Sequence, residues 1–175
     1  MKTTSKMPIV LIGFMGAGKS TIGKILSREL NCSFTDLDSL VEAQLNQSIP
    51  EIFELEGEKA FRRYECQYLK HALEKYDIIA TGGGILSDDQ TFNFLKKQEI
   101  TVVWIDAPFE ILYERIKNDA NRPNANKKSY DALKSLYYSR NSRYNEIAFI
   151  KISSKISLRE TLNEIKNTIF ANDQY

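Results

Sequence analysis

The chain has 175 residues, of which 42% are hydrophobic and 27% charged, with 24 Lys and Arg against 23 Asp and Glu. A chain of this length buries roughly two-thirds of the surface that its unfolded form exposes, so we expect one domain over residues 1–175. The near-zero net charge argues against a nucleic-acid-binding protein, and the apolar stretch at residues 9–12 is too short for a signal peptide or membrane span, so we expect a cytoplasmic protein without a membrane partner.

Short β-branched runs alternate with longer amphipathic segments along the chain. The runs predict strands at residues 9–12, 33–35, 78–81, 101–105 and 148–152. The helical periodicity predicts helices at residues 19–30, 39–45, 58–75, 88–97, 108–117, 130–144 and 157–170. This alternation predicts an α/β three-layer sandwich with a five-stranded, mostly parallel sheet. Ligands of such folds bind at the carboxyl ends of the strands.

The first predicted strand leads into a glycine-rich loop, Gly13-Phe14-Met15-Gly16-Ala17-Gly18-Lys19-Ser20. This string matches the phosphate-binding pattern Gly-x-x-x-x-Gly-Lys-Ser/Thr at every fixed position. Backbone N–H groups of such a loop surround phosphate oxygens, and the following helix adds a partial positive charge. Lys19 is expected to reach the β- and γ-phosphates as a catalytic residue. The residues expected to bind the nucleotide are Gly16, Ala17, Gly18, Lys19, Ser20 and Thr21.

Two carboxylates follow the second predicted strand as Asp36-x-Asp38, at the same sheet edge as the phosphate loop. Asp36 is the candidate for holding one Mg²⁺ ion through water, and the Ser20 hydroxyl is the candidate for a direct ligand. Asp38 is placed to orient a substrate hydroxyl, with proton acceptance as a second role because an ordinary Asp pKa of about 3.9 is low for that purpose. The alternative is that Asp38 or Ser39 only caps the next helix.

Two further segments have compositions that suit a ligand site. The third predicted strand ends in three glycines, residues 82–84, where a ligand can approach the backbone closely. Residues 118–129 are rich in Asn and Lys and almost free of apolar side chains, so they predict a lid loop rather than a packed element. Arg122 in this segment is the candidate for closing over phosphates.

Together these motifs resemble those of the shikimate kinase family over about residues 8–150. The strings that carry the resemblance are the phosphate loop, Asp36-x-Asp38, Gly57-Glu58, Phe61-Arg62, Gly82-Gly83-Gly84, Arg122-Pro123 and Arg140 followed by Tyr144. The resemblance implies a fold like that of the nucleoside-monophosphate kinases. It also implies that a monomer transfers the γ-phosphate of ATP to the 3-hydroxyl of shikimate, with Mg²⁺, in chorismate and aromatic amino-acid synthesis.

The resemblance further implies roles for single residues. Asp38 would contact the shikimate hydroxyls, and the glycine run, Gly82, Gly83 and Gly84, would supply backbone contacts. Arg62 and Arg140 would hold the substrate carboxylate, because guanidinium groups grip a carboxylate at two points. Arg122 would lie near the transferred phosphate and Arg115 against the adenine.

Two strings differ from the family's usual pattern. The family continues Arg-Pro with two leucines, where this chain has Asn124-Ala125. It also has Arg-x-Pro-Leu-Tyr, where this chain has Arg140-Asn141-Ser142-Arg143-Tyr144, so that both Arg140 and Arg143 are open as ligands of the carboxylate. The spacing to Tyr144 favours Arg140.

Two other functions are compatible with a phosphate loop. The first is a different small-molecule or nucleoside-monophosphate kinase, acting on gluconate or AMP, since arginines bind phosphate as well as carboxylate. The second is a GTP-binding switch protein. It is disfavoured because the nearest match to a guanine-binding Asn-Lys-x-Asp string, residues 126–129, lacks the acid.

Overall fold

In the computed structural model, which describes residues 7–117, 127–155 and 157–170, the predicted strands form one sheet. The strand order is β2-β3-β1-β4-β5, and each pair of neighbouring strands is parallel. The strands are β1 Ile9–Ile12, β2 Phe34–Asp36, β3 Ile78–Ala80, β4 Thr101–Asp106 and β5 Ile150–Ser153. The predicted α/β class and five-stranded sheet are confirmed, and the described sheet is parallel throughout.

Eight helices connect and cover the strands within the described residues. They are α1 Lys19–Leu30, α2 Leu37–Leu45, α3 Ile49–Leu55, α4 Glu58–Lys75, α5 Asp89–Leu95, α6 Phe109–Ile116, α7 Tyr130–Ile147 and α8 Leu158–Phe170. None of them has both the length and the apolar composition needed to cross a bilayer. Seven correspond to predicted helices, with ends shifted by up to three residues.

Alternate residues of the central strand face opposite hydrophobic layers. Ile9 and Leu11 pack into a cluster with buried side chains of α1, α6, α7 and α8. Val10 and Ile12 pack into a second cluster with side chains of α2, α4 and α5. A strand covered on both faces must be hydrophobic at every position, which explains the unbroken apolar run that predicted it. The two layers leave the carboxyl ends of the strands as the edge where polar side chains collect.

Helix α3 was not predicted, although the sequence contains a signal for it. Ser48 and Glu51 form a capping box, in which the Glu51 N–H donates to the Ser48 hydroxyl at 3.3 Å and the Ser48 N–H donates to the Glu51 carboxylate at 2.8 Å. Pro50, which suggests a break in a helix, is tolerated in the first turn because its missing N–H needs no partner there. The helix buries Ile52 against Phe61 and so supports the first turns of α4.

The first glycine of the phosphate loop is required by a close contact between backbones. Gly13 has φ 143°, and a Cβ built on it would lie 2.1 Å from the carbonyl oxygen of Ile105 in β4. No side chain fits between these two strands at this point. The backbone at the start of the loop therefore lies directly against β4.

Replacing Gly13 with Ala should lower the free energy of unfolding by more than replacing Gly57 with Ala. Both positions have positive φ, 143° and 83°, so backbone strain costs about 1–3 kcal/mol in either variant. Only Gly13 adds a clash, worth about a further 1–3 kcal/mol, because a Cβ at Gly57 has no neighbour within 4 Å. Urea unfolding of the two variants measures the difference, and equal losses would contradict the close contact with Ile105.

Candidate active site

The phosphate loop has the geometry expected for anion binding. Gly16 and Gly18 have φ values of 81° and 92°, a backbone conformation that side chains disfavour. The Lys19 ammonium group donates to the carbonyl oxygens of Gly13 at 2.7 Å and Phe14 at 2.9 Å. The lysine side chain therefore spans its own loop.

Ser20 and Asp36, the two groups predicted on the metal side of the site, are in direct contact. The Ser20 hydroxyl donates to one carboxylate oxygen of Asp36, and the other oxygen accepts the Ser39 N–H at 3.2 Å. Asp36 is thus the N-cap of α2. The alternative in which Asp38 or Ser39 caps this helix is wrong, because α2 begins at Leu37, two residues earlier than predicted. Asp38 lies in its first turn and is available for the site.

The glycine run after β3, residues 82–84, brings three predicted site residues together. A Cβ on Gly82 would lie 2.8 Å from Asp38 Oδ1, one on Gly83 would lie 3.5 Å from Arg140 Nη1, and one on Gly84 would lie 2.3 Å from Arg62 Nη2. Gly82 and Gly84 therefore make room for Asp38 and Arg62, and Arg140 lies in contact distance of Gly83. The three have no left-handed backbone angles, so the missing side chain, and not an unusual φ, explains why glycine is needed here.

The same run connects this charged cluster to the phosphate loop. A Cβ on Gly83 would lie 3.0 Å from the backbone nitrogen of Met15. The Thr81 N–H, just before the run, donates to the carbonyl of Leu11 at 3.1 Å. The phosphate loop and the cluster of Asp38, Arg62 and Arg140 are therefore neighbours on one sheet edge.

Burial changes the acidity of two carboxyl groups beside Gly82. Burial, together with the negative charge of Asp36, raises the pKa of Asp38 to about 6, and Asp38 Oδ1 has no hydrogen-bond partner among the described residues. Burial likewise raises the pKa of Glu65 to about 7, even though Arg62 lies next to it. Asp38 is thus a better proton acceptor than an ordinary Asp, which strengthens its predicted second role.

Glu65, for which no role was predicted from the sequence, belongs to the same charged cluster. Its side chain is 1% exposed, and its Oε2 accepts from Arg62 Nη1 at 2.7 Å. Arg62 Nη2 also pairs with Glu58 at 3.0 Å. The two acids hold the guanidinium against Gly84. Their spacing of three and four residues from Arg62 on one helix could have indicated the pairing with Glu65, as it did with Glu58.

The structure distinguishes the two arginines of α7. Arg140 lies beside Gly83, and its Nε and Nη1 are buried without a hydrogen-bond partner in the described parts of the chain. Arg143 points away, toward the start of α5, where its guanidinium donates to the carbonyl of Leu86 at 2.7 Å and pairs with Asp89. Arg140 is therefore the one placed with Asp38 and Arg62.

The predicted nucleotide-side arginines have different outcomes. Arg115 Nη1 donates to the carbonyl of Gly16 at 3.1 Å, and its Nη2 donates to the carbonyl of Ser154 at 2.8 Å. It therefore ties α6 to the phosphate loop and to the segment after β5. Arg122 and residues 118–126 of the predicted lid lie outside the described residues.

The fold and the site together define a class of protein. A phosphate loop between the central strand and first helix of a parallel sheet, beside buried carboxylates and arginines, is the arrangement of a P-loop kinase of small molecules. A sequence model described as "Shikimate kinase" matches residues 15–170. The chain belongs to the shikimate kinase family.

Individual relatives agree with this assignment. A shikimate kinase of Staphylococcus aureus is 51% identical over 97% of this chain and 98% of its own length. A solved shikimate kinase from Acinetobacter baumannii, in complex with shikimate, superposes with a TM-score of 0.86 at 33% identity and covers 97% of both chains. A gluconokinase from Sinorhizobium meliloti, with a TM-score of 0.61 and 12% identity over 94% of this chain and 92% of its own, shares the fold alone.

Asp38→Asn should stabilise the ligand-free protein at neutral pH. Because the pKa of Asp38 is about 6 when folded and 3.8 ordinarily, the folded chain binds a proton more tightly than the unfolded chain does. The parent therefore loses stability as pH rises from about 4 to 7, whereas Asn does not titrate. Urea unfolding at several pH values should show the variant's advantage growing over this window and vanishing below it.

Glu54→Gln, which also exchanges a carboxyl for an amide but at an exposed position of α3, is the matched control for this comparison. An Asp38→Asn advantage that stays constant with pH would mean that Asp38 titrates normally in the folded protein.

Proposed function

We propose that this chain catalyses the reaction of its family, the transfer of the γ-phosphate of ATP to the 3-hydroxyl of shikimate. The observation that carries the proposal is the glycine run, residues 82–84, which lies against the phosphate loop and is in close contact with one carboxylate and two guanidinium groups. This pattern suits an acceptor that carries a hydroxyl at one end and a carboxylate at the other. The product supplies the chorismate pathway.

The proposed roles follow from the charges of the side chains. Arg62 and Arg140 hold the acceptor carboxylate from the two sides of the glycine run, with the backbone of Gly82, Gly83 and Gly84 in contact with the ring. The buried nitrogens of Arg140 that lack partners among the described residues support this role, because such groups gain most from a charged acceptor. Burial also lowers the pKa of Arg140 below its usual value, and an anion would reverse that effect.

Asp38 orients the hydroxyl group. The hydroxyl oxygen attacks the γ-phosphorus, the bond from that phosphorus to the bridging oxygen breaks, and ADP leaves. The hydroxyl proton passes to the Asp38 carboxylate. The raised pKa of Asp38, about 6, is closer to the pKa of an alcohol than that of an ordinary Asp. Lys19 stabilises charge on the β- and γ-phosphates, and Arg122 in the proposed lid, about residues 118–129, is assigned the same role.

The nucleotide side of the site comprises the loop from Gly16 to Thr21, with Arg115 against the adenine. One Mg²⁺ ion fits the oxygens of Ser20, as a direct ligand, and Asp36, through water, since Mg²⁺ binds few protein oxygens and completes its shell with phosphates and water. The contact between the Ser20 hydroxyl and Asp36 supports this pairing. When bound, the ion neutralises charge on the transferred phosphate.

The carboxylates favour an alcohol acceptor over a phosphate acceptor such as AMP. Asp38 and Glu65 both lie beside Gly82, and two acids at the position of the nucleophile would repel a phosphate group. Gluconate carries both a carboxylate and hydroxyls, so only family membership favours shikimate over it. We also propose that the chain acts as a monomer in the cytoplasm.

The proposal is tested by supplying ATP and Mg²⁺ with shikimate, gluconate or AMP and measuring ADP release in a coupled assay. We expect turnover with shikimate, little with the other two, and little ATP hydrolysis without an acceptor. Lys19→Ala, which removes the ammonium group from the phosphate site, should abolish the activity while the protein stays folded. Slow hydrolysis that is indifferent to every acceptor would instead indicate a switch protein.

Arg62→Lys should weaken acceptor binding far more than ATP binding. Lysine keeps the charge but loses two-point recognition, so we expect the KM for shikimate to rise about tenfold or more and the KM for ATP to change little. Arg63→Lys is the matched control, because Arg63 is the next residue of α4 and is exposed. Equal effects of Arg62→Lys on both KM values would make Arg62 a structural residue.

A further inference from the structure

Arg143 connects α7 to the segment that follows the glycine run. Its Nη1 donates to the carbonyl oxygens of Leu86 at 2.7 Å and Ser87 at 3.4 Å, and its Nη2 pairs with Asp89. The guanidinium also lies over the ring of Phe92, 5.0 Å from its centroid. A planar group with several fixed donors is suited to holding two neighbouring carbonyls at once.

The segment that Arg143 holds has no regular secondary structure. It consists of two successive turns, closed by hydrogen bonds from Ile85 N–H to the Gly82 carbonyl at 3.2 Å and from Ser87 N–H to the Gly84 carbonyl at 2.9 Å. A cavity of about 220 Å³ lies between the segment and α7, lined in part by Gly83, Ser87, Arg140 and Arg143. Leu86 and Tyr144 belong to one buried hydrophobic cluster, and polar bonds bridge the junction beside this packing.

Two neighbouring residues of α7 thus hold the same stretch of backbone. Tyr144 donates its hydroxyl to the carbonyl of Gly83, and Arg143 donates to carbonyls three and four residues further on. Arg140, one turn earlier on the helix, lies beside Gly83. The position of the glycine run relative to Arg140 depends on these bonds.

We infer that Arg143 is a positioning residue for the acceptor: by holding the carbonyls of Leu86 and Ser87 it keeps the glycine run at the spacing from Arg140 that the acceptor carboxylate needs. This inference rests on the proposed function. The phosphate loop is held separately, by the bonds from Lys19 to the carbonyls of Gly13 and Phe14. Loss of Arg143 should therefore affect the acceptor more than the nucleotide.

The chain offers a closely matched control in Lys96. Lys96 also joins the end of α5 to α7, through an ion pair with Glu146 at 2.6 Å, and also lies over the ring of Phe92, at 5.3 Å. It differs from Arg143 in having no hydrogen bond to the carbonyls of Leu86 and Ser87. Asp89→Ala is a second control, because its carboxylate is 79% exposed and such a pair adds little energy.

The experiment compares KM values for shikimate and ATP in the parent, Arg143→Ala, Arg143→Lys, Lys96→Ala and Asp89→Ala, with urea unfolding of each. Arg143→Ala should raise the KM for shikimate about tenfold and leave that for ATP within about twofold, since it removes charged hydrogen bonds. Arg143→Lys should recover part of the loss, and both controls should match the parent.

An Arg143→Ala variant with the parent's KM for shikimate, or one that raises both KM values equally, would overturn the inference. So would an equal rise in Lys96→Ala, since that would indicate general docking of α5 on α7. If Arg143→Ala does not fold, Arg143→Gln, which keeps most of the bulk over Phe92, takes its place. A parent chain that fails to phosphorylate shikimate would overturn the proposed function, and the inference with it.

Discussion

The close approach of charged side chains to bare backbone at residues 82–84 is the constraint on which the rest of the site depends. Asp38 comes from the first turn of α2, Arg62 from α4 and Arg140 from α7, so three helices on different connections meet at one loop. Any Cβ on Gly82 or Gly84 would lie within 3 Å of a charged atom. The glycines thus allow charged side chains from three separate helices to form one cluster.

This arrangement costs the ligand-free protein free energy, which the proposed acceptor would recover on binding. Charged groups are buried beside Gly82 and Gly84, and several of their polar atoms have no partner among the described residues. The raised pKa values of Asp38, about 6, and Glu65, about 7, express the same cost. Such groups are favourable once a ligand supplies the missing hydrogen bonds, so the site is organised before its substrates arrive.

The sequence predicted most of the fold because local pattern and global fold agree. The sequence shows unbroken apolar runs, helical periodicity and glycines at the turns between them. The sheet and seven helices were predicted from these patterns. Helix α3 was missed because a proline after Ser48 obscured a capping box, and the start of α2 was misplaced because Asp36, not a later residue, is its cap. Both errors concern helix ends, where a single side-chain bond decides the boundary.

The sequence predicted candidate site residues where they follow a predicted strand, as Lys19, Asp36 and the glycine run do. The spacing of Glu65 from Arg62 on α4 indicates an ion pair, but it does not indicate that Glu65 is buried. That burial depends on Gly82, which is 17 residues away in the chain. The spacing to Tyr144 favoured Arg140 over Arg143 in the sequence. The packing of α7 on residues 83–89 agrees, since Arg140 faces the cluster and Arg143 does not.

Helix α7 explains how this chain accommodates its departure from the family's Arg-x-Pro-Leu-Tyr pattern. This 18-residue helix carries Arg143 and Tyr144 three and four residues after Arg140, so both lie on the same face as Arg140. One of them faces the charged cluster while the other two hold the backbone of the glycine run and its continuation. The arginine that stands where the family has leucine thus donates hydrogen bonds to two carbonyls. One helix then holds both the Arg140 guanidinium and the loop opposite it, so the position of each depends on the other.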